Sequence, residues 1–118
     1  MILAAGLGIR LRPLTLRRPK ALMPICNIPC LDLAIRRLKN AGAKAVAINV
    51  HHLPHCIEQH IVGRPPAPSG RPYNIPVRIS YEPTILGIGG AIGKLWDFWD
   101  DRPFVVVNGD LIENLDLV

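Results

Sequence analysis

Five cations, Arg10, Arg12, Arg17, Arg18 and Lys20, fall within eleven residues, directly after an apolar start and a glycine-bearing stretch, Ala4-Ala5-Gly6-Leu7-Gly8. Glycines placed straight after a strand let the backbone turn sharply and bring its N–H groups close to an anion, because no Cβ intervenes. Cations at this density suit a guest of high negative charge, and phosphate is the obvious one. The spacing fits neither of the two commonest phosphate-binding patterns. No window reads G-x-x-x-x-G-K-[ST], and Leu11 stands where a G-x-G-x-x-G fingerprint needs its third glycine. The plainer reading is a solvated basic loop closed by turn glycines.

Two further constellations could complete such a site. Val105-Val106-Val107-Asn108-Gly109-Asp110 reads as a buried strand ending in a carboxylate. An acid at a strand tip beside a glycine suits a Mg²⁺ ligand, since Mg²⁺ takes one or two carboxylates together with phosphate oxygens; a turn-forming Asn-Gly-Asp is the alternative. Glu82-Pro83-Thr84-Ile85-Leu86-Gly87-Ile88-Gly89-Gly90-Ala91 places three glycines at the opening of a helix. Bare backbone there could meet a base or ribose and offer N-terminal N–H groups, or simply form a flexible turn.

These segments need a frame, and the rest of the chain supplies one. Short apolar runs at Ile2–Ala4, Ala45–Val50, Val77–Tyr81 and Phe104–Val107 alternate with stretches of helical period. The first helix is expected near Leu31–Ala41, with Leu31, Ala34, Ile35, Leu38 and Ala41 on one face, Pro29 near its start and Gly42 at its stop. A shorter helix is expected over Pro54–Ile61. A third is expected from Gly90 to Trp99, burying Ile92, Leu95, Trp96 and Trp99. The order β-α-β-α-β-α-β predicts an α/β fold, a Rossmann-like three-layer sandwich with a mostly parallel sheet and ligands at the carboxyl ends of its strands. Gly63–Pro76, with five prolines, is expected to be a long loop that no helix occupies.

Bulk properties narrow the function. The 118 residues, 49% of them hydrophobic, fit one domain. No apolar run is long enough for a membrane span and no leader pattern precedes the first strand, so the expectation is a cytoplasmic protein with no membrane partner. The net charge of +5 is polarised, with eight cations against the single acid Asp32 in residues 1–40, and two cations against seven acids in residues 81–118. Aromatics are only 5%, and a nucleic-acid binder more often spreads its cations along a face interleaved with aromatics, so nucleic acid is not the expected partner. Cys26, Cys30 and Cys56 suit reduced thiols better than a disulfide framework, and with His51, His52, His55 and His60 they lack the paired spacings of structural zinc. His51 and His52 follow a strand end, so one of them could line the cleft, with a surface-loop role the simpler expectation.

Taken together, the three constellations resemble the nucleoside-triphosphate transferase family, whose members make NDP-sugars from an NTP and a sugar 1-phosphate. The family's G-x-G-[TS]-R-[LM] pattern is matched by Gly6, Gly8, Arg10 and Leu11, and its downstream Pro-Lys by Pro19-Lys20. Its L-G-T-[AG]-G element is matched by Leu86, Gly87, Gly89 and Gly90, and its G-D by Gly109-Asp110. Ile9 and Ile88 depart from it, each standing where a hydroxyl residue is usual.

The resemblance implies catalytic Arg10 and Lys20, with Lys20 near the transferring α-phosphate and Arg10 on the departing pyrophosphate. It implies nucleotide contacts from Ala4, Ala5, Gly6, Gly8, Glu82, Gly87 and Gly89, and Mg²⁺ on Asp110. NTP and sugar 1-phosphate are then the partners, and a homo-oligomer is compatible with it. Residues 1–118 would be the N-terminal, nucleotide-binding portion of a longer domain, since Glu113 and Asp116 are poorly spaced to supply a second metal carboxylate. The alternative is a regulatory module that binds nucleotide without turnover.

Overall fold

A computed structural model describes residues 1–63 and 72–112 of the chain. Ile2–Leu3 forms β1, Pro24–Ile25 and Ile28–Pro29 form β2 and β3, and Cys30–Asn40 forms α1. Val46–Val50 forms β4, Pro54–Val62 α2, Val77–Tyr81 β5, Gly87–Lys94 α3 and Val107–Asn108 β6. The main sheet is four-stranded in the order β5-β4-β1-β6, and every pairing in it is parallel. The chain builds outward from β1 through β4 to β5 and then returns to the other side of β1. The order therefore reverses between β1 and β6, where an open α/β sheet leaves a crevice.

β4 is buried throughout because it has a neighbour on each edge and helices on each face. Its alternation divides the core. Val46, Ile48 and Val50 pack with Leu31, Ile35 and Leu38 of α1 and Ile57 and Ile61 of α2, while Ala47 faces Ala91 and Leu95 on the α3 side. Helices thus cover both faces of a parallel sheet, the three-layer α/β arrangement expected from the alternation of elements. Among the described residues, no helix is long and apolar enough to cross a membrane.

Several expected boundaries move. β1 stops at Leu3 rather than Ala4, because the Ala4 N–H leaves the ladder to donate to the Asn49 side chain at 2.8 Å. β6 is Val107–Asn108 rather than Phe104–Val107: Val107 N–H donates to Met1 O and Gly109 N–H to Leu3 O, both at 2.9 Å, so pairing with β1 fixes the register. Phe104 instead stacks on Trp99 with ring centroids 4.4 Å apart. α3 begins three residues earlier than expected and ends at Lys94, a 3₁₀ turn following over Trp96–Phe98. Trp96 is consequently not a core residue but is 81% exposed, while Leu95 takes the buried place.

The β2–β3 hairpin was not anticipated; Cys26 and Asn27 form its two-residue turn with φ of 48° and 64°, the positive values that such a turn requires. Within the expected loop Gly63–Pro76, residues 64–71 lie outside the described residues. At its end Pro72–Asn74 forms a tight turn in which Tyr73 and Asn74 take the left-handed φ values of 60° and 61°, so no helix occupies it.

Asp32, read from the sequence only as the lone acid of a basic half, is 1% exposed. Its Oδ1 accepts hydrogen bonds from His60 Nε2 and Tyr73 Oη, each at 2.6 Å, which ties α1 to α2 and to the turn at Pro72–Asn74. Asp32→Ala would remove the acceptor shared by these two part-buried donors, and we expect a loss of about 1–3 kcal/mol in chemical denaturation, with Asp32→Asn retaining part of it.

Candidate functional site

A cleft of about 280 Å³ opens at the carboxyl ends of β1, β4 and β6, at the reversal of strand order. Its floor is Leu3, Ala4, Ala5 and Gly6, one wall carries Lys20, Ala21, Asn108 and Asp110, and the other carries Asn49, Glu82, Ile85, Gly87 and Ile88. The three sequence constellations, more than 70 residues apart at their extremes, converge here.

The basic loop is compact rather than open. It runs through 3₁₀ turns at Ile9–Leu11, Leu14–Leu16 and Lys20–Leu22. Thr15, 1% exposed, is its internal anchor, its hydroxyl donating to Gly8 O at 2.7 Å. Gly8 has φ of 63°, and a Cβ there would lie 2.7 Å from Thr15 Cγ2. Gly8→Ala should therefore both strain the backbone and push Thr15 off its bond, costing about 1–3 kcal/mol in thermal unfolding. Pro19 is buried and leads into Lys20, whose side chain remains 37% exposed and forms an ion pair with Asp110. The other cations of this loop, Arg10 included, are exposed, and Arg10 does not line the cleft.

Of the residues expected at the site, the fold brings Ala4, Ala5, Gly6, Lys20, Glu82, Gly87 and Asp110 to the cleft. A Cβ on Gly6 or Gly87 would meet nothing within 4 Å, so both leave room for a ligand against bare backbone. Gly8 shapes the loop from behind, and Gly89 is exposed on α3 without lining the cleft.

Glu82 is 0% exposed, and both of its carboxyl oxygens are engaged by protein donors: Asn49 Nδ2 at 2.9 Å and the Leu86 N–H at 3.0 Å. Asn49 in turn accepts from Ala4, so a continuous chain of hydrogen bonds joins the floor to the glycine strap. Asn49 was not anticipated as a site residue. The available signal was an amide inside the otherwise apolar strand Val46–Val50, where a buried polar group needs a partner.

Cys30, 4% exposed at the start of α1, adds no thiolate: burial first, then the negative charge of Asp110, pushes its thiol above the usual range. Two charged side chains thus dominate the cleft, Lys20 and Asp110. Among the described residues, Asp110 is the cleft carboxylate whose partner is a part-exposed lysine rather than a buried amide. One such carboxylate fits Mg²⁺, which fills most of its shell with phosphate oxygens and water.

Comparisons with known proteins agree with this geometry. Residues 1–117 match the family model described as nucleotidyl transferase. The chain is 33% identical to the UTP–glucose-1-phosphate uridylyltransferase of Synechocystis over 99% of its own length and 31% of the relative's. It is 36% identical to the N-acetylmuramate alpha-1-phosphate uridylyltransferase of Neisseria meningitidis, covering 98% of this chain and 48% of that one. Among solved structures, HddC of Yersinia pseudotuberculosis complexed with GMP-PN superimposes with a TM-score of 0.75 at 28% identity, over 92% of this chain and 46% of that one. The chain spans less than half the length of each of these relatives. With the family model covering nearly all of it, and the glycine loop, strap and strand-end aspartate gathered around one cleft, the chain belongs to the nucleotidyl transferase family.

Proposed function

We propose that this chain carries the NTP-binding part of an enzyme that transfers a nucleotidyl group from an NTP to a sugar 1-phosphate, giving an NDP-sugar and pyrophosphate. The observation that carries this reading is the meeting of Lys20 and Asp110 above a bare-backbone floor at the β1/β6 crevice. The names of the relatives, uridylyltransferases acting on glucose 1-phosphate and N-acetylmuramate α-1-phosphate, support it.

A sugar 1-phosphate is already an anionic nucleophile, so the reaction needs no general base. Its phosphate oxygen bonds to the α-phosphorus as the bond to the bridging oxygen of pyrophosphate breaks, and pyrophosphate leaves with that electron pair. The barrier is charge, because two anions about 4 Å apart repel by ~4 kcal/mol at an effective dielectric of 20. The protein's task is therefore positioning and cationic screening.

Lys20 offsets charge at the α-phosphate. Arg10, exposed on its turn outside the cleft lining, would meet the departing pyrophosphate only at the edge of the site. Ala4, Ala5, Gly6 and Gly87 offer backbone to base and ribose, with Gly8 holding the loop in shape and Glu82 holding the strap. Asp110 is the residue that would hold Mg²⁺, whose chemistry when bound is to screen phosphate charge.

Calorimetry of the 118-residue chain with UTP, GTP, CTP, ATP and dTTP in Mg²⁺ should reveal binding of at least one of them, competed by its NDP-sugar. Failure of all five at millimolar concentration would remove the reading. Ile88, 61% exposed on the cleft wall where the family pattern has a hydroxyl, favours the second reading, a nucleotide-binding module without turnover. NTP binding with no pyrophosphate release on adding glucose, mannose or N-acetylmuramate 1-phosphate would select it.

A further inference from the structure

The turn after β4 makes two contacts that neither the core nor the cleft lining explains. His52 Nε2 lies 2.6 Å from Thr15 O, the midpoint of the basic loop. His51 Nδ1 lies 2.7 Å from Glu82 O, the residue that holds the glycine strap. A carbonyl oxygen only accepts, so each of these ring nitrogens carries the hydrogen and donates it. The turn stands on rigid supports. β4 before it is fully buried, Leu53 reverses the chain at φ of 49°, and Pro54 then opens α2.

We infer that His51 and His52 are positioning residues that clamp the two walls of the cleft, His52 fixing the phosphate-side loop and His51 fixing the nucleoside-side strap. The inference deepens the nucleotide reading above and rests on it for the identity of the ligand. The route on one side runs from His52 to Thr15 O, and Thr15 Oγ1 bonds Gly8 O at 2.7 Å, so one imidazole secures the stretch that leads into Lys20. On the other side His51 holds the Glu82 carbonyl while the Glu82 N–H donates to Val50 O at 2.8 Å. The Glu82 carboxyl group is thereby aimed at the Leu86 N–H. Adjacent residues of one strand end thus set the separation of two loops far apart in sequence. This gives the His-His pair a role that a plain surface turn would not need.

The two donors come from different ring positions, which makes the clamp separable from general stability. An asparagine amide nitrogen mimics Nδ1 and a glutamine amide nitrogen mimics Nε2. In hydrogen exchange on the ligand-free 118-residue chain, His52→Ala should speed the Leu16 and Arg17 amides about tenfold, the worth of one hydrogen bond, and leave Glu82 and Leu86 unchanged. His51→Ala should do the reverse. His52→Gln and His51→Asn should restore slow exchange, and the swapped variants, His52→Asn and His51→Gln, should not.

With nucleotide present, His52→Ala should weaken NTP about tenfold while sparing the nucleoside, and His51→Ala should weaken both alike. Exchange unchanged in both alanine variants, uniform acceleration along the chain, or no rescue by the matched amides would each overturn the clamp. The predicted exchange pattern in a chain that binds no NTP would uphold the clamp and remove the nucleotide reading instead.

Discussion

Replacing Lys20 by alanine is expected to lower turnover by roughly 10²–10³-fold while weakening NTP binding only severalfold, because its charge matters most as the transition state forms. The assay is single-turnover pyrophosphate release from a form extended to the length of the relatives, with NTP affinity measured separately. Lys20 sits where this split is physically reasonable. Its backbone is fixed by the buried Pro19 before it and by the 3₁₀ turn that it opens, while its ammonium group, at the open side of the cleft, pairs with Asp110. An incoming phosphate can take that ammonium without rebuilding the loop. Lys20→Arg should recover little, since a planar fork on a longer arm does not place a point charge in the same spot. Equal losses in binding and turnover would show Lys20 to be a ground-state anchor only.

Asp110→Asn carries the second large expectation, and it has two signs. If Asp110 holds Mg²⁺, metal-dependent turnover should fall by about 10²-fold or more, with the Mg²⁺ requirement shifted to higher concentration. In the absence of metal the same change should tighten NTP binding severalfold. Removing the carboxylate takes a negative charge out of a phosphate site and releases Lys20 from its ion pair. Binding that weakens equally with and without Mg²⁺ would point to a structural aspartate. Asn is close in shape to Asp, so folding is not the issue: Asp110 is part-exposed at a strand end, with its side chain 26% accessible.

Much of the frame was legible in the chain because parallel strands buried on both faces must be continuously apolar. Val46–Val50 stands out for that reason, Asn49 aside, whereas the edge strand Val77–Tyr81 shows itself by alternating Val77, Ile79 and Tyr81 with Arg78 and Ser80, and α1 shows its buried face through Leu31, Ala34, Ile35 and Leu38. β6 was displaced because its apolar run is longer than its paired segment, and only the partner strand decides which residues join the ladder. Trp96 was misplaced for a related reason: a helical period continued past Lys94 in sequence, but the backbone tightened into a 3₁₀ turn that swings the indole outward.

In the cleft, glycines and single charges announced themselves by spacing. Asn49, Thr15 and the clamping histidines did not, because their partners are 7 to 45 residues away and backbone groups leave no trace in a sequence. The Asp32 tie to His60 and Tyr73, across 28 and 41 residues, was hidden in the same way.

The unequal halves of the core bear on how the cleft moves. The larger cluster joins β1, α1, β4 and α2 with Ile75, whereas among the described residues Met1, Ala47, Ala91 and Leu95 form the buried centre on the α3 side. Regions with little buried apolar contact open at lower free energy than the global transition. The basic loop is therefore mounted beside the larger cluster, whose amides are expected to exchange last, and the glycine strap beside the smaller one, whose amides are expected to exchange earlier. The cleft lies where the two clusters meet, so its two walls rest on unequal amounts of buried apolar surface.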